Sequence, residues 1–269
     1  MHLSLHQLTA LDAPPIELVS IAQALGVGSV CLFTHVPEAA AGRFPVVAQA
    51  DVDEVRRALE DAGVTLSNLE VFSLDRNGPR TDLDAGLAIG AALGATRATG
   101  HLHEIDSEQE AIDRFATFAD QAARHGIIAG LEYNNFSAIT NVASAERIVR
   151  GAGSGSIVLD LLHTVRGGAS LNDIERVADL VSYAQLCDGP SDMASDGRWR
   201  EAVGERLLPG EGEFPLIELL LPLHDDVMFD IEVPQSSARK AGVPAIERAR
   251  RAVHASRRLL AELHEERAR

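Results

Sequence analysis

Short apolar segments alternate with longer amphipathic segments along the whole chain. Eight apolar runs have the length of strands and lie at residues 3–8, 29–33, 65–72, 97–101, 127–133, 157–161, 181–186 and 227–233. Helical periodicity occupies the segments between and after them, at residues 15–25, 51–62, 81–93, 107–125, 141–150, 171–180, 213–221 and 244–265. Strand starts recur every ~25 to 45 residues, about the length of one strand-helix unit, and eight such units predict a closed (β/α)8 TIM barrel.

The same pattern favours one domain over several. A doubly wound sheet usually carries a glycine-rich turn after its first strand, whereas residues 9–15 contain no glycine. No Pro- or Ser-rich linker divides the chain. We therefore expect a single α/β domain over residues 1–269, with a long C-terminal helix at about 244–265.

Composition narrows the range of partners. The chain has 40 Asp and Glu against 24 Lys and Arg, a formal net charge of -16, which repels nucleic-acid phosphates. No apolar run reaches the ~18 residues of a membrane span, so we expect neither nucleic acid nor membrane as a partner.

Cys31 and Cys187 lie far apart without metal-binding spacing, which indicates a reducing compartment and thus the cytoplasm. The single lysine, Lys240, precedes the C-terminal helix and leaves no amine in the barrel for a Schiff base.

Polar residues gather at the C-terminal ends of the predicted strands, where barrel enzymes carry their chemistry. They are His6, Glu70, His101, His103, Glu132, Asp160, His163, Gln185, Asp188, Asp230 and Glu232. An inward carboxylate is costly to bury unless it is paired or binds a metal ion. Glu132, Asp160, Gln185 and Glu232 form an all-oxygen set suited to one Mg²⁺ or Mn²⁺ ion. Each residue alone has a structural alternative, such as capping a helix or bracing a loop.

Five segments carry a resemblance to a known family. They are Leu131-Glu-Tyr133, Val158-Leu-Asp-Leu-Leu-His163, Ala184-Gln-Leu-Cys-Asp188, Leu208-Pro-Gly-Glu-Gly-Glu213 and Phe229-Asp-Ile-Glu232. In order and spacing they resemble the xylose isomerase-like barrel superfamily, which contains sugar phosphate isomerases and epimerases, inosose dehydratases and apurinic endonucleases. The resemblance implies that the four residues of the oxygen set bind the metal, that His163 contacts substrate, and that the two glutamates flank the reacting carbons.

The third ligand departs from the commonest pattern of that family. Many of its epimerases have a histidine there, whereas this chain has Gln185, as in the 3-dehydroshikimate dehydratases that it also resembles. An amide oxygen is a harder ligand than imidazole, which favours Mg²⁺ or Mn²⁺ over zinc. Apurinic endonucleases need further histidine ligands and a phosphate-binding surface, which this acidic chain does not provide.

Three functional hypotheses follow. In an isomerase or epimerase of a sugar or sugar phosphate, Glu132 and Glu232 would remove and return a proton beside a carbonyl, through an enediolate that the metal ion stabilises, while His163 binds a substrate oxygen. In a dehydratase of a cyclic hydroxy-ketone such as 3-dehydroshikimate or an inosose, His163, His101 or His103 would act as the general acid. A barrel kept only for binding or assembly is the third, and it predicts that the two glutamates are dispensable.

The remaining predictions concern the substrate. It is expected to be a small sugar, polyol or cyclic hydroxy-ketone, with His6, His101, His103 and Asp188 among its contacts. Residues 188–212 form the longest connection and are expected to act as a lid. There Arg206 would clamp a phosphate or carboxylate, or else pair with surplus acids, and Trp199 would cover the substrate or only fasten the lid. A homo-oligomer is compatible with this reading.

Overall fold

The chain folds into a closed barrel of eight parallel strands, described by a computed structural model over residues 2–36, 42–75 and 80–269. The strands follow the chain order around the barrel, and β1 pairs with β8 to close it. Their bounds are β1 His2–His6, β2 Ser29–Phe33, β3 Thr65–Ser73, β4 Arg97–His101, β5 Ile128–Glu132, β6 Ser156–Asp160, β7 Val181–Leu186 and β8 Met228–Ile231. The predicted (β/α)8 fold is confirmed.

Helices cover the outside of the barrel and enter several of its loops. They are α1 Pro15–Ala24, α2 Val52–Ala62, α3 Arg80–Ala92, α4 Glu108–Arg124, α5 Val142–Ala152, α6 Leu161–Arg166, α7 Leu171–Val177, α8 Arg198–Gly204, α9 Leu216–Leu220, α10 Ser236–Lys240 and α11 Ala245–Arg267. The helix predicted at about 244–265 is α11. Helices α6, α8 and α10 were not expected; each has seven residues or fewer and is too short to show a helical period.

Local sequence explains where the principal helices begin and end. The side chains of Ser107, Asn141 and Ser170 accept a backbone N–H in the first turn of α4, α5 and α7, as N-cap residues do. Gly63 and Gly153 end α2 and α5 with φ of 63° and 71°. This left-handed conformation costs glycine nothing, so these helices stop and the chain turns into the next strand.

The inside of the barrel is polar. Serine hydroxyls of β1 and β3 meet at 2.8 Å between Ser4 and Ser67, and the Gln185 amide of β7 donates to Glu70 of β3 at 3.0 Å. These strands are not neighbours in the sheet, so the hydrogen bonds cross the interior. Barrel interiors are more often filled by branched aliphatic side chains. Most buried apolar side chains form one cluster that includes residues of both the strands and the helices.

The peptide bond between Glu70 and Val71 is cis. Among the residues that the structure describes, none of the helices combines the length and apolar character that crossing a membrane requires.

Candidate active site

The four residues of the predicted oxygen set lie at the C-terminal ends of consecutive strands. Glu132 ends β5, Asp160 ends β6, Gln185 lies in β7, and Glu232 follows β8. Asp160 and Gln185 are register partners, and all four residues are at most 5 % exposed. Parallel strands bring their C-terminal ends to one rim, so residues up to 100 positions apart meet there.

Arg206 joins two members of this set. Its Nη1 donates to Asp160 Oδ2 at 2.7 Å, and its Nη2 lies 3.1 Å from Glu232 Oε1. Burial opposes the charge of Arg206, but the two carboxylates raise its pKa well above the usual value. Arg206 thus pairs with two buried predicted metal ligands rather than with surface acids, and its binding of a substrate phosphate or carboxylate stays a prediction.

Histidines surround Glu132. His101 Nε2 lies 2.8 Å from Glu132 Oε2, and His163 Nε2 lies 3.9 Å from Glu132 Oε1. Burial alone would raise the pKa of Glu132, but the charge and hydrogen bond of His101, followed by His163 and Arg206, lower it to about 2. Burial lowers the pKa of His101, yet Glu132 raises it above the usual value overall. Glu132 is therefore held as a carboxylate within reach of two imidazoles.

His163 is held by the start of α6. Asp160 Oδ1 accepts the backbone N–H groups of Leu162 and His163 at 2.7 and 3.2 Å, which is N-capping. The other ring nitrogen, Nδ1, lies 3.4 Å from Asn135 Oδ1. One carboxylate thus caps the helix with one oxygen and binds Arg206 with the other, so His163 is fixed relative to the predicted metal ligands.

His101 and His103 do not act as a pair on one strand. Strand alternation would point both side chains the same way only if β4 continued to residue 103, but β4 ends at His101. His103 is exposed, and its ring meets the His101 ring edge-on at 5.5 Å. Of these two histidines, His101 contacts a member of the oxygen set and His103 does not. Substrate binding by His103 stays a prediction.

His6 and Gln185 meet at Glu70. His6 Nε2 lies 2.7 Å from Glu70 Oε2, and Gln185 Nε2 donates to Glu70 Oε1 at 3.0 Å. His6 is fully buried, and its Nε2 is hydrogen-bonded to the Glu70 carboxylate inside the barrel. Direct substrate contact by His6 remains a prediction.

Asp188 organises the connection after β7. Its carboxylate accepts four backbone N–H groups, those of Gly189, Gly210, Gly212 and Phe214. A carboxylate bound to so many donors is tied to the loop. Substrate binding by Asp188 therefore stays a prediction that these contacts do not favour.

The expected lid is fastened at a second point. Glu201 of α8 makes a two-pronged ion pair with Arg166 at the end of α6, at 2.6 and 2.9 Å, and both side chains are buried. Trp199, on the same helix, is 59 % exposed and packs edge-on against Phe136 at 5.0 Å. The Phe136 ring in turn meets the His163 ring at 6.2 Å. Residues 188–212 are thus anchored by a buried ion pair, and their exposed Trp199 side chain is connected to His163 through Phe136.

The oxygen set fits a hard divalent cation. Gln185 Oε1 and Glu232 Oε2 are buried and have no hydrogen-bond partner among the described residues. A buried polar atom without a partner is costly, and a cation would satisfy both. Ligand atoms of Glu132, Asp160 and His163 also lie within 4.8 Å of one another. Carboxylate and amide oxygens are the donors that Mg²⁺ and Mn²⁺ prefer.

Sequence reasoning missed two important contacts. Asn68 donates to Glu70 Oε1 at 3.1 Å; it lies two residues before Glu70, on the same face of β3, and this alternation was a usable signal. Glu201 showed no signal, because its partner lies 35 residues away in a helix that was not predicted. The sequence predicted Glu70 only as one of the polar residues at the strand ends, and gave no sign that it contacts His6, Asn68 and Gln185 together.

Comparison with known proteins identifies relatives and solved structures that resemble this chain. A curated relative, the putative hydroxypyruvate isomerase of Streptomyces coelicolor, is 25 % identical over 210 residues, covering 65 % of this chain and 70 % of the relative. The solved structure of the IolI protein with a binding zinc atom has a TM-score of 0.78 at 15 % identity, covering 98 % of this chain and 99 % of that one. The probable 3-DHS dehydratase AsbF of Bacillus anthracis has a TM-score of 0.71 at 14 % identity, covering 92 % and 97 %.

These two solved structures establish the fold alone, because their identities to this chain are low. The family assignment comes from the sequence model of the xylose isomerase-like TIM barrel, which matches residues 19–260. The match spans every strand from β2 to β8 and all five segments that carry the resemblance. The chain therefore belongs to the xylose isomerase-like TIM barrel family.

Proposed function

We propose that this protein is a divalent-metal-dependent isomerase or epimerase of a small hydroxy-ketone, such as a keto-sugar. The observation that carries the proposal is the buried oxygen set at the ends of β5 to β8, in which Gln185 Oε1 and Glu232 Oε2 find no hydrogen-bond partner within the described part of the chain. Glu132, Asp160, Gln185 and Glu232 would hold the ion, with Mg²⁺ or Mn²⁺ preferred. When bound, such an ion withdraws charge from a carbonyl oxygen and so makes the neighbouring C–H more acidic.

The chain's own residues supply the proton transfer. Glu132 takes the proton from the carbon beside the carbonyl, and His101, bonded to Glu132 at 2.8 Å, orients the carboxylate. Glu232, held by Arg206 at 3.1 Å, returns a proton at the adjacent carbon or on the opposite face. His163 binds a substrate oxygen. The relative named as a putative hydroxypyruvate isomerase supports a small hydroxy-carbonyl substrate.

A dehydratase is the second candidate, because His163 lies beside Glu132 and both are buried. After proton removal by Glu132, His163 would protonate a leaving β-hydroxyl, and water would depart with the formation of a double bond. The Gln185 ligand and the fold shared with the probable 3-DHS dehydratase support this alternative.

One experiment separates the two. The protein is incubated with Mn²⁺ in D₂O with keto-sugars, inososes and dehydroshikimate, while deuterium incorporation and ultraviolet absorbance are followed together. Deuterium in a rearranged product of unchanged composition supports the isomerase, and a new conjugated absorbance supports the dehydratase. Glu132→Gln and Glu232→Gln should abolish either signal, whereas Glu218→Gln, at an exposed position of α9, should not. The proposal is wrong if no substrate reacts and both site variants bind Mn²⁺ as tightly as the wild type.

A further inference from the structure

Three side chains of β1, β2 and β3 form a second cluster inside the barrel. One ligand atom each of His6, Cys31 and Glu70 lies within 4.8 Å of the others, and all three residues are buried. Histidine, cysteine and glutamate are zinc ligands, so a second metal site must be considered. The hydrogen bonds of His6 decide against it.

The protonation of the His6 ring follows from its two partners. Nδ1 accepts the backbone N–H of Leu8 at 2.9 Å, so it carries no proton. The hydrogen must then lie on Nε2, which faces Glu70 Oε2 at 2.7 Å. The nitrogen inside the cluster therefore has no free lone pair for a metal ion. His6 is a hydrogen-bond donor to Glu70.

Glu70 is consequently surrounded by donors. Its Oε2 accepts from His6, while its Oε1 accepts from Asn68 Nδ2 at 3.1 Å and from Gln185 Nε2 at 3.0 Å. A carboxylate oxygen accepts and does not donate, so the Gln185 group that faces Glu70 must be the NH₂ group. The remaining atom of that amide, Oε1, is the buried oxygen without a partner.

We propose that Glu70 is a positioning residue that fixes the orientation of the Gln185 carboxamide and thereby presents its oxygen as a metal ligand. The inference rests on the proposed function, because it concerns a ligand of the proposed metal site. An amide can turn over about its last torsion, and its NH₂ group has no lone pair to offer a cation. The hydrogen bond from Gln185 to Glu70 excludes the orientation in which the NH₂ group faces the proposed metal site, even before a metal ion binds. Partners that orient metal ligands are typically worth 10- to 100-fold in metal affinity.

The first test is Mn²⁺ binding by chelator-treated protein, measured by isothermal titration calorimetry. Glu70→Gln offers Gln185 an amide in place of a carboxylate and should weaken Mn²⁺ binding about 10- to 100-fold. Asp230→Asn is the matched control. Asp230 is the register partner of Gln185 and fully buried, and its carboxyl group faces Tyr183 and Ser4. The Asp230→Asn substitution removes a buried carboxylate without changing the hydrogen bond of the Gln185 amide. Its loss of Mn²⁺ affinity should be clearly smaller than that of Glu70→Gln.

The second test exchanges donor and acceptor. In Glu70→Gln/Gln185→Glu, the amide at position 70 donates to a carboxylate at position 185, which again presents its second oxygen. Asn68 can turn over to accommodate the change, because the Thr99 hydroxyl, which now accepts from Asn68 Nδ2 at 2.9 Å, can instead donate to Asn68 Oδ1. The double variant should recover most of the Mn²⁺ affinity that Glu70→Gln loses. Gln185→Glu alone completes the cycle, because a carboxylate ligand strengthens Mn²⁺ binding by its own charge. A purely structural role for Glu70 predicts that the effects of the two substitutions add, whereas the positioning role predicts that the double variant binds more tightly than their sum.

The outcomes are distinct. The inference is overturned if Glu70→Gln binds Mn²⁺ as tightly as the wild type, or if the double variant is as weak as Glu70→Gln. If the wild type itself binds no divalent ion, the proposed function fails and the inference fails with it. Circular dichroism of the metal-free proteins verifies folding. Should Glu70→Gln not fold, Glu70→Asp, which keeps the charge but shortens the reach, must weaken binding in the same direction or the inference is wrong.

Discussion

The buried ion pair between Arg166 and Glu201 allows a quantitative test of how the long connection after β7 is held. The Arg166 and Glu201 side chains are only 4 % and 2 % exposed. Arg166 also donates to the Pro190 carbonyl at 2.8 Å and lies 5.0 Å from the centre of the Phe214 ring. Removing either charge leaves the other buried and unpaired, which costs about 3–5 kcal/mol.

We expect Glu201→Leu and Arg166→Met each to lose stability of this order, about 6–20 °C in Tm for a domain of this size. The double variant removes both charges together and should lose less than either single variant, because replacing a whole buried pair with apolar side chains is often close to neutral. Thermal and urea unfolding of the four proteins measures the ranking.

If only the connection opens locally, the loss of global stability is smaller, and proteolysis detects the opening instead. In the single variants residues 189–212 would then become sensitive to trypsin, which cleaves after Arg198, Arg200 and Arg206. The double variant should be more resistant. The reasoning is refuted if the double variant is no more stable than the less stable of the two single variants. It is also refuted if the single variants match the wild type in both unfolding and proteolysis.

Three further predictions follow from individual contacts. Trp199 is the single tryptophan and packs on Phe136, so its fluorescence should change when a substrate analogue binds, and Phe136→Leu should reduce that change. Asp188→Ala leaves four backbone N–H groups without their acceptor and should cost at least about 3 kcal/mol in urea unfolding, with Asp188→Asn intermediate. Burial raises the pKa of Glu146, but hydrogen bonds from two arginines lower it below its usual value. Its contribution is therefore present at neutral pH and lost as pH falls through the folded-state pKa. Glu146→Gln should cost less than about 1 kcal/mol at pH 7, since both arginines are substantially exposed. In acid unfolding experiments the difference should begin to shrink as pH falls below ~4.3, the usual glutamate pKa, and vanish only below the lowered folded-state pKa.

Most of the barrel was predictable because its signals are local. Apolar runs marked the strands to within a few residues, and Ser107 marked the start of α4. The end of β4 was not predictable from alternation, because His101 and His103 both suit a continuing strand. What stops β4 is a contact with another loop: the backbone N–H of His103 donates to Asp75.

The site was predictable as a set of residues but not as a set of contacts. Strand ends and the family resemblance identified the four oxygen donors. The bond between Gln185 and Glu70 joins residues 115 positions apart, and the Arg206 bond to Asp160 joins residues 46 positions apart. Such contacts depend on the closure of the barrel and on the path of the loop after β7, and neither leaves a periodic trace in the sequence.

The Arg206 bridge has a thermodynamic consequence for the whole molecule. Arg206 belongs to the connection after β7, yet it binds Asp160 and Glu232 at the rim of the barrel. The position of that connection and the charge felt by those carboxylates are therefore linked. For the proposed metal site, linkage is reciprocal: a ligand that binds by displacing the connection would change the cation affinity at the rim by the same factor by which the cation changes the affinity for that ligand. Selection on a distant loop can thus tune the rim without altering any residue that faces the substrate.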